Sequence, residues 1–222
     1  MIDISKITSG TVADVLDDFG YWGVLPNSIR LINGRTLKFY GEAYTVNWKL
    51  TRKTSDIKAP QLSTWDQVAD FLAPNVSDGI GKVYVGGCKE GAIDGFALAG
   101  GLSCTYFNNL GYSAVVLGGG VRDKEDLDEL DIPVYATGLT PADTQGCYSV
   151  ESAGTSTKIG DVTIQTGDYI FGDATGIIAI PRHLAKQVIE KSNEIEDVEL
   201  SMMKEIKRGK SLPEIIQQGG RC

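Results

Sequence analysis

The sequence predicts an α/β fold with mixed sheets, and three observations predict it. Residues 82–117 read as strand, helix and strand, the pattern of a parallel βαβ unit with a right-handed crossover. Residues 162–180 read as three short strands separated by turn residues. Helical apolar stripes stand near both ends of the chain. The 27 glycines among 222 residues are scattered between apolar runs, which points to tight turns and close backbone approaches instead of a linker.

A first helix is expected over residues 9–19, where Val12, Val15, Leu16 and Phe19 fall at i, i+3, i+4 and i+7. Ser9 or Thr11 is placed to cap it. Asp14, Asp17 and Asp18 lie off the stripe as a solvated face, and Gly20 ends the helix. Residues 29–48 hold strand-like pieces broken at Asn33-Gly34, a hairpin-type turn signal. Ser63-Thr-Trp-Asp66 is an approximate capping box ahead of a helix through Val68, Phe71 and Leu72, which Pro74 stops. A strand over residues 82–85 ends in Gly86-Gly87. A helix is expected over residues 97–109, with Leu98, Leu102, Tyr106 and Leu110 spaced in fours. The strand over residues 113–117 runs through three glycines into an acidic helix, and another strand follows at 133–137. Turns at Gly167-Asp168 and near Asp173 divide the strands of residues 162–180. A long helix from about residue 182 carries Leu184, Val188, Ile195, Met202 and Ile206 on a rough stripe. Its length predicts packing over the body or against a neighbouring subunit. With no internal repeat or boundary signal, residues 1–222 are expected to form one domain with a helical tail.

Charge and composition narrow the function. The net charge is −8, which argues against nucleic acid or an anionic membrane as the main partner. No apolar run approaches the roughly 18 residues of a membrane span. The N-terminal residues lack the basic head and apolar run of a signal peptide, so a cytoplasmic location is expected. Cys88, Cys104, Cys147 and Cys222 are scattered, and His183 is the single histidine. That composition disfavours a zinc site and predicts reduced thiols. Cys104 is expected in the core.

The chemistry-bearing stretch is Gly118-Gly-Gly120-Val-Arg122-Asp123. Glycines after a strand leave backbone amides able to face a ligand, and the following helix N-terminus favours an anion. Arg122 has the fork that grips a carboxylate. Asp123 is a hard oxygen ligand suited to Mg²⁺. The alternative is an Arg–Asp pair that braces a turn. The dinucleotide fingerprint fails, because Asp123 stands where its third glycine belongs. A second stretch, Ala99-Gly100-Gly101-Leu102-Ser103, follows the preceding strand, so the two loops can flank one crevice. Its exposed amides suit a carboxylate or carbonyl; the alternative is close helix–sheet packing. Lys49, Arg52, Lys53 and Lys58 form the most basic patch, beside Trp48, with Trp65 further along. It is a candidate anion site or a solvated loop.

The chain resembles the RraA-like family, which includes the class II 4-hydroxy-4-methyl-2-oxoglutarate / 4-carboxy-4-hydroxy-2-oxoadipate aldolases and proteins once labelled demethylmenaquinone methyltransferases. The resemblance lies in "TSGTVADVLDDFG" at 8–20, "GEAYTV" at 41–46, "GYSAVVLGGGVRD" at 111–123, "IPVYATGLTP" at 132–141, "TGDYIFGDATGIIAIP" at 166–181 and "EIKRGKSLPE" at 205–214. It implies a β/β/α sandwich of the swivelling-domain type, assembled as a homotrimer or hexamer with sites at subunit interfaces. It also implies a lyase that uses Mg²⁺ or Mn²⁺ to cleave a carbon–carbon bond of a small 2-oxo or hydroxy acid. Under the resemblance Arg122 binds the substrate carboxylate or oxo oxygen and Asp123 is the metal ligand. Backbone amides around Gly100, Gly101, Leu102 and Ser103 hold the pyruvate part. Two positions depart from the family pattern. Gly101 stands where an acid helps to hold metal-bound water, and Gly118-Gly119 replaces an Asp-Gly pair. Glu90 and Asp94 are candidates to replace the missing carboxylates. Two further readings follow: a non-catalytic binding or regulatory protein, like the family members that inhibit a ribonuclease assembly, and a changed reaction on the same scaffold, a decarboxylase or isomerase. A methyltransferase is disfavoured, since no nucleotide-binding glycine loop is present.

Overall fold

A seven-strand path crosses the centre of the molecule in the order β1-β7-β5-β3-β2-β11-β12, with β8 paired to β2 beside it. The computed structural model describes residues 3–35, 37–51, 68–72, 76–144 and 147–217. The strands on the path are β1 (Arg30–Leu31), β2 (Phe39–Leu50), β3 (Lys82–Cys88), β5 (Ala114–Leu117), β7 (Val134–Ala136), β11 (Tyr169–Gly172) and β12 (Ile177–Ile180), and β8 is Tyr148–Ala153. The pairs β2–β3, β3–β5 and β5–β7 are parallel; those of β1, β8, β11 and β12 are antiparallel. The parallel centre follows from composition, because β5 is a run of apolar residues buried on both faces.

Alternation along the central strands divides the interior into two layers. Tyr84, Val115 and Leu117 face one core, shared with Phe107 and Cys104 of helix α3 (Gly101–Asn109) and Leu127 of α4 (Lys124–Asp128). Val83, Val85, Ala114 and Val116 face the other. That second core is closed by the hairpin of β9 (Ser156–Ile159) and β10 (Val162–Gln165). A third cluster joins α1 (Ser9–Asp18) and α5 (Ala185–Lys207) to β11 and β12 through Val12, Val15, Leu16, Phe171, Ile178 and Val188. The result is the expected mixed α/β arrangement, a curled sheet with helices on one side and a β-hairpin on the other.

Several sequence expectations need correction. Thr8, not Ser9 or Thr11, caps α1: its side chain accepts from the Thr11 amide. Phe19 leaves the apolar stripe and is exposed. Asn33-Gly34 is a turn but joins no hairpin, since β1 pairs with β7. Asn33 is buried there and bonds Leu127 O, Ile132 O and Val134 N, which ties the turn to the far end of the sheet. Residues 97–99 are not helical. They form β4 (Ala97–Ala99), parallel to β6 (Gly120–Val121). The stripe Leu98–Leu102–Tyr106 consequently breaks: Leu98 is core, while Leu102 and Tyr106 are exposed. Ile206 also lies outside the buried face of α5. Strand β3 continues through Gly86-Gly87 to Cys88. Helix α2 (Val68–Phe71) is described, while the capping box at Ser63–Asp66, Pro74 and Trp65 lie outside the described residues. The tail divides into α5 and α6 (Leu212–Gln217). Among the described residues no helix is long and apolar enough to cross a membrane.

Candidate active site

Strand β5 delivers the chain to the site, and the glycines after it act by their size. Their amides were expected to face a ligand; those of Gly118 and Gly120 are bonded to neighbouring backbone instead. Gly118 N–H donates to Gly86 O at 2.7 Å and Gly120 N–H to Phe96 O at 2.8 Å. A Cβ on Gly120 would lie 2.6 Å from Thr140 Cγ2 and 3.0 Å from Phe96 O, so β6 approaches the neighbouring backbone more closely than a side chain allows. This approach seats Arg122 beside β4, with its amide bonded to Ala99 O at 3.2 Å.

Asp123 has φ +63°, the one left-handed non-glycine residue described. Such a conformation stores strain and recurs at functional corners. Asp123 precedes α4 yet does not cap it by its side chain. Its Oδ2 turns across to accept the Gly101 amide of α3 at 3.0 Å. Arg122 Nε lies 3.7 Å from the same oxygen, and Arg122 Nη1 lies 3.5 Å from Asp143 Oδ2. These pairs are partly exposed, so they orient the guanidinium more than they stabilise the fold. Gly100 makes the corner possible: a Cβ there would fall 2.5 Å from Asp123 Oδ2 and 3.0 Å from Arg122 Cγ.

The start of α3 completes the corner. Ser103 Oγ accepts from the Gly100 amide at 3.0 Å and is 3.0 Å from Gly100 O, which fixes the first turn. The amides of Leu102 and Ser103 have no acceptor within the helix, as in any first turn. A cavity of about 250 Å³ opens here. Gly100, Leu102, Ser103, Arg122 and Asp123 line it, with Trp48, Phe71, Leu72, Leu98 and Tyr106 as apolar walls. Asp143 and Thr144 close its polar end. A second, more open cavity lies against the other side of Arg122 and Asp123, bordered by Lys124, Leu139, Thr140 and Pro141.

The family model for RraA-like proteins, described as Aldolase/RraA, matches residues 10–179. The chain belongs to the RraA-like family. Among its relatives is the "Putative 4-hydroxy-4-methyl-2-oxoglutarate aldolase" of Acinetobacter baylyi, 34% identical over 120 residues, which cover 53% of this chain and 66% of that protein. An uncharacterized protein of Methanocaldococcus jannaschii is 28% identical over 129 residues, 54% of this chain and 57% of the other. The chain spans about a third to two thirds of the length of these and other curated relatives. Among solved structures, RraAS2 of Streptomyces coelicolor, named as an unusual member of the RNase ES inhibitor RraA protein family, superposes with a TM-score of 0.72 at 22% identity. The match covers 92% of this chain and all of that one, and establishes the shared RraA fold.

Against the RraA-like pattern, the two departing glycines have different physical grounds. The space that a side chain at Gly101 would take is filled by Asp126 of α4: a Cβ would meet Asp126 Oδ2 at 2.1 Å and Asp126 Cβ at 2.5 Å. Gly101 itself faces Asp126 and does not line the cavity. At Gly118 a Cβ would lie 3.0 Å from Ile159 Cγ1, so the β9–β10 hairpin presses on that position. Glu90 and Asp94 do not replace the missing acids in the cavity: neither lines it, and Glu90 Oε2 accepts the Leu50 amide instead. Among the described residues no group of three or more His, Cys, Asp or Glu side chains converges. Both contacts of Asp123 fall on Oδ2, which leaves Oδ1 without a hydrogen bond or ion pair among the described residues.

The other candidates are quickly placed. Cys104 is buried under α3, and burial pushes its thiol up to about 12, so it is inert core as expected. His183 packs edge-on to Tyr21. Lys49 is exposed at the end of β2, while Arg52, Lys53 and Lys58 lie outside the described residues. Sequence reasoning missed Asp143 and Asp126, and placed Trp48 only beside the basic patch. Asp126 alone carried a local signal, one helical turn after Asp123.

Proposed function

We propose that this chain is a divalent-metal-assisted carbon–carbon lyase acting on a small 2-oxo acid, including hydroxylated 2-oxo acids. The observation that carries the reading is the corner itself, where a guanidinium, a carboxylate with an uncommitted oxygen and the first-turn amides of α3 meet at one cavity. The relatives named as aldolases support the reaction class.

Each residue has a role that its chemistry dictates. Arg122, already turned toward Asp143, exchanges that contact for the substrate carboxylate and gains a bidentate pair. The Leu102 and Ser103 amides, at the positive end of α3, stabilise negative charge that develops on the oxo oxygen. Asp123 Oδ1 would hold the ion, Mg²⁺ or Mn²⁺, which would supply Lewis-acid polarisation of the 2-oxo group. The bond beyond the carbon next to the oxo group breaks. Its electron pair remains with the pyruvate fragment as an enolate, which takes a proton from solvent; in retro-aldol cleavage the hydroxyl on the departing carbon gives its proton to solvent as that fragment leaves as a carbonyl compound, and in decarboxylation the fragment leaves as CO₂. Apolar walls at Trp48, Phe71 and Leu98 keep competing water from the corner.

The test is pyruvate release from 4-hydroxy-4-methyl-2-oxoglutarate and from oxaloacetate, with and without Mg²⁺ or Mn²⁺. Metal-dependent release is expected, falling by about 100-fold or more in Arg122→Ala and Asp123→Ala. Absence of turnover with either metal and either acid overturns the reading. A second reading is a non-catalytic regulator, which the names of two structural neighbours favour. One neighbour of the same fold is named as an unusual member of the RNase ES inhibitor RraA protein family and another as an RNA-processing inhibitor. Co-purification with a ribonuclease assembly, without turnover, selects it.

A further inference from the structure

We propose that Asp143 is the proton acceptor for retro-aldol cleavage, the group through which the hydroxyl proton of the departing carbon passes on its way to solvent. This role rests on the lyase reading above and is confined to its retro-aldol form. An alcohol carbon leaves as a carbonyl only if its hydroxyl proton is removed, and a positioned acceptor is worth about 100- to 10,000-fold in such a step. The placement of Asp143 argues first. The segment after β7 runs along β6 and then β4. Val121 N–H donates to Gly138 O and Thr140 N–H to Val121 O, both at 3.0 Å, and Ala97 N–H donates to Ala142 O at 2.8 Å. Asp143 itself stands opposite Ala97 in a parallel bridge. Beyond it the Thr144 carbonyl accepts from the amides of Cys147 and Tyr148, both at 2.9 Å. The backbone on either side of Asp143 is thereby fixed, and the residue lines the cavity from a rigid edge.

The division of labour at Arg122 argues next. The guanidinium stands between two carboxylates, with Nε 3.7 Å from Asp123 Oδ2 and Nη1 3.5 Å from Asp143 Oδ2. Asp123 Oδ2 is committed to the Gly101 amide, and its Oδ1 is the oxygen assigned to the ion. Asp143 is the second carboxylate of the described lining, at the polar end of the cavity. Ser103, Tyr106 and Thr144 in the same lining present hydroxyls, which take up a proton far less readily than a carboxylate does. Substrate binding also prepares the residue. When Arg122 turns to the substrate carboxylate, Asp143 gives up one cationic contact, and removal of a nearby positive charge favours the protonated form of a carboxylate. An Asp143 oxygen then bonds the hydroxyl proton, the O–H electron pair becomes the π bond of the new carbonyl, and the pair of the broken carbon–carbon bond stays with the pyruvate fragment as the enolate. Release of the proton to solvent restores the carboxylate. Decarboxylation of oxaloacetate has no hydroxyl proton to remove and makes no use of this acceptor.

Steady-state turnover of 4-hydroxy-4-methyl-2-oxoglutarate and of oxaloacetate by the purified full chain in Mg²⁺, with Asp143→Asn beside the parent, tests this. Asparagine keeps the size of the side chain and a carbonyl acceptor but cannot take up the proton. The ratio of the aldol kcat to the oxaloacetate kcat is expected to fall by about 100-fold or more in Asp143→Asn. Asp143→Glu restores a carboxylate and should recover part of that ratio. Calorimetric titration with pyruvate in Mg²⁺ should show that Asp143→Asn still binds the product, so that the Arg122 corner is intact. An unchanged ratio overturns the proposal. So does loss of pyruvate binding, which would make Asp143 a support for Arg122. If the parent cleaves the aldol alone, the same fall in its kcat with pyruvate binding retained carries the proposal, and an unchanged kcat overturns it. A parent that decarboxylates oxaloacetate but leaves the aldol whole overturns it too, with the lyase reading still standing. Pyruvate release from neither acid removes both.

Discussion

Gly101 shows how one residue type records a rearranged site. In the family pattern an acid belongs there, and here the Asp126 side chain occupies the space its Cβ would need. The clash reaches Asp126 Cβ, not only its flexible end, so α4 must move to admit any side chain. Gly101→Ala is therefore expected to destabilise the protein by about 1–3 kcal/mol, as overpacking does. Removing the obstacle should relieve part of this. In a denaturant-unfolding cycle, the Gly101→Ala/Asp126→Gly double variant should lose less than the sum of the single losses, by about 0.5–3 kcal/mol. Strict additivity would mean that the contact is unimportant. The same reasoning explains why the pair Arg122–Asp123 needs Gly100: the carboxylate crosses to α3 through volume that any larger residue would fill.

Helix α1 is an element held at its N-terminus by distant carboxylates. Asp173 accepts from Ser9 N and Ser9 Oγ, both at 2.8 Å, and also from the amides of Thr175 and Gly176. Glu196 of α5 accepts from Thr8 N and Thr11 Oγ1. Negative groups at this end match the helix dipole. Burial acts to raise the carboxyl of Asp173, but the Ser9, Thr175 and Gly176 bonds outweigh it and hold the group below its ordinary 3.8. Its contribution to stability is thus complete above pH 3.8 and is lost as pH falls through the lower folded value. Asp173→Asn should lower stability at neutral pH by about 1–3 kcal/mol and flatten the acid limb of a stability–pH profile measured by urea unfolding. An unchanged acid limb would assign that loss to other carboxylates. The turn role of Asp173 was legible in the sequence, but its grip on α1 was not, because the partners are 164 residues apart. Legibility follows locality elsewhere too. Strand β5 and the Arg122–Asp123 pair stand in one continuous run and were read directly. Strand β4 reads as helix because Leu98, Leu102, Tyr106 and Leu110 are spaced in fours, while its strand form depends on pairing with the distant Gly120-Val121. Strand β8, "YSVESA", lacks the apolar alternation that marks a strand and is defined by its partner β2. Trp48, Asp143 and Tyr106 reach the cavity from separate elements, so no spacing in the sequence announces them.

At the scale of the whole molecule, the question is whether Asp123 serves chemistry or only braces two helix starts. Both roles use the same carboxylate, but they differ in what the rest of the chain gains from an ion. A ligand that binds only the folded state stabilises all of it, by about 2.7 kcal/mol at a hundredfold excess over its Kd. For a chain of this length that is several degrees in Tm. Mg²⁺ should accordingly raise Tm in a saturable way. The net charge of −8 attracts cations without any site, so NaCl at matched ionic strength is the necessary control. Asp123→Asn separates the roles. Asparagine tolerates the left-handed backbone at φ +63° and still offers a carbonyl oxygen to the Gly101 amide, so the brace survives. What it lacks is the charge that an ion needs. The variant should keep a Tm close to that of the parent in NaCl and lose the additional rise in MgCl₂, as read by differential scanning calorimetry. A rise that persists in Asp123→Asn, or one that NaCl reproduces, would leave the carboxylate as a brace and move the lyase reading off this residue. Loss of the rise alone, with the fold intact, ties the strained corner, the start of α3 and the cavity above them to one ion-dependent site.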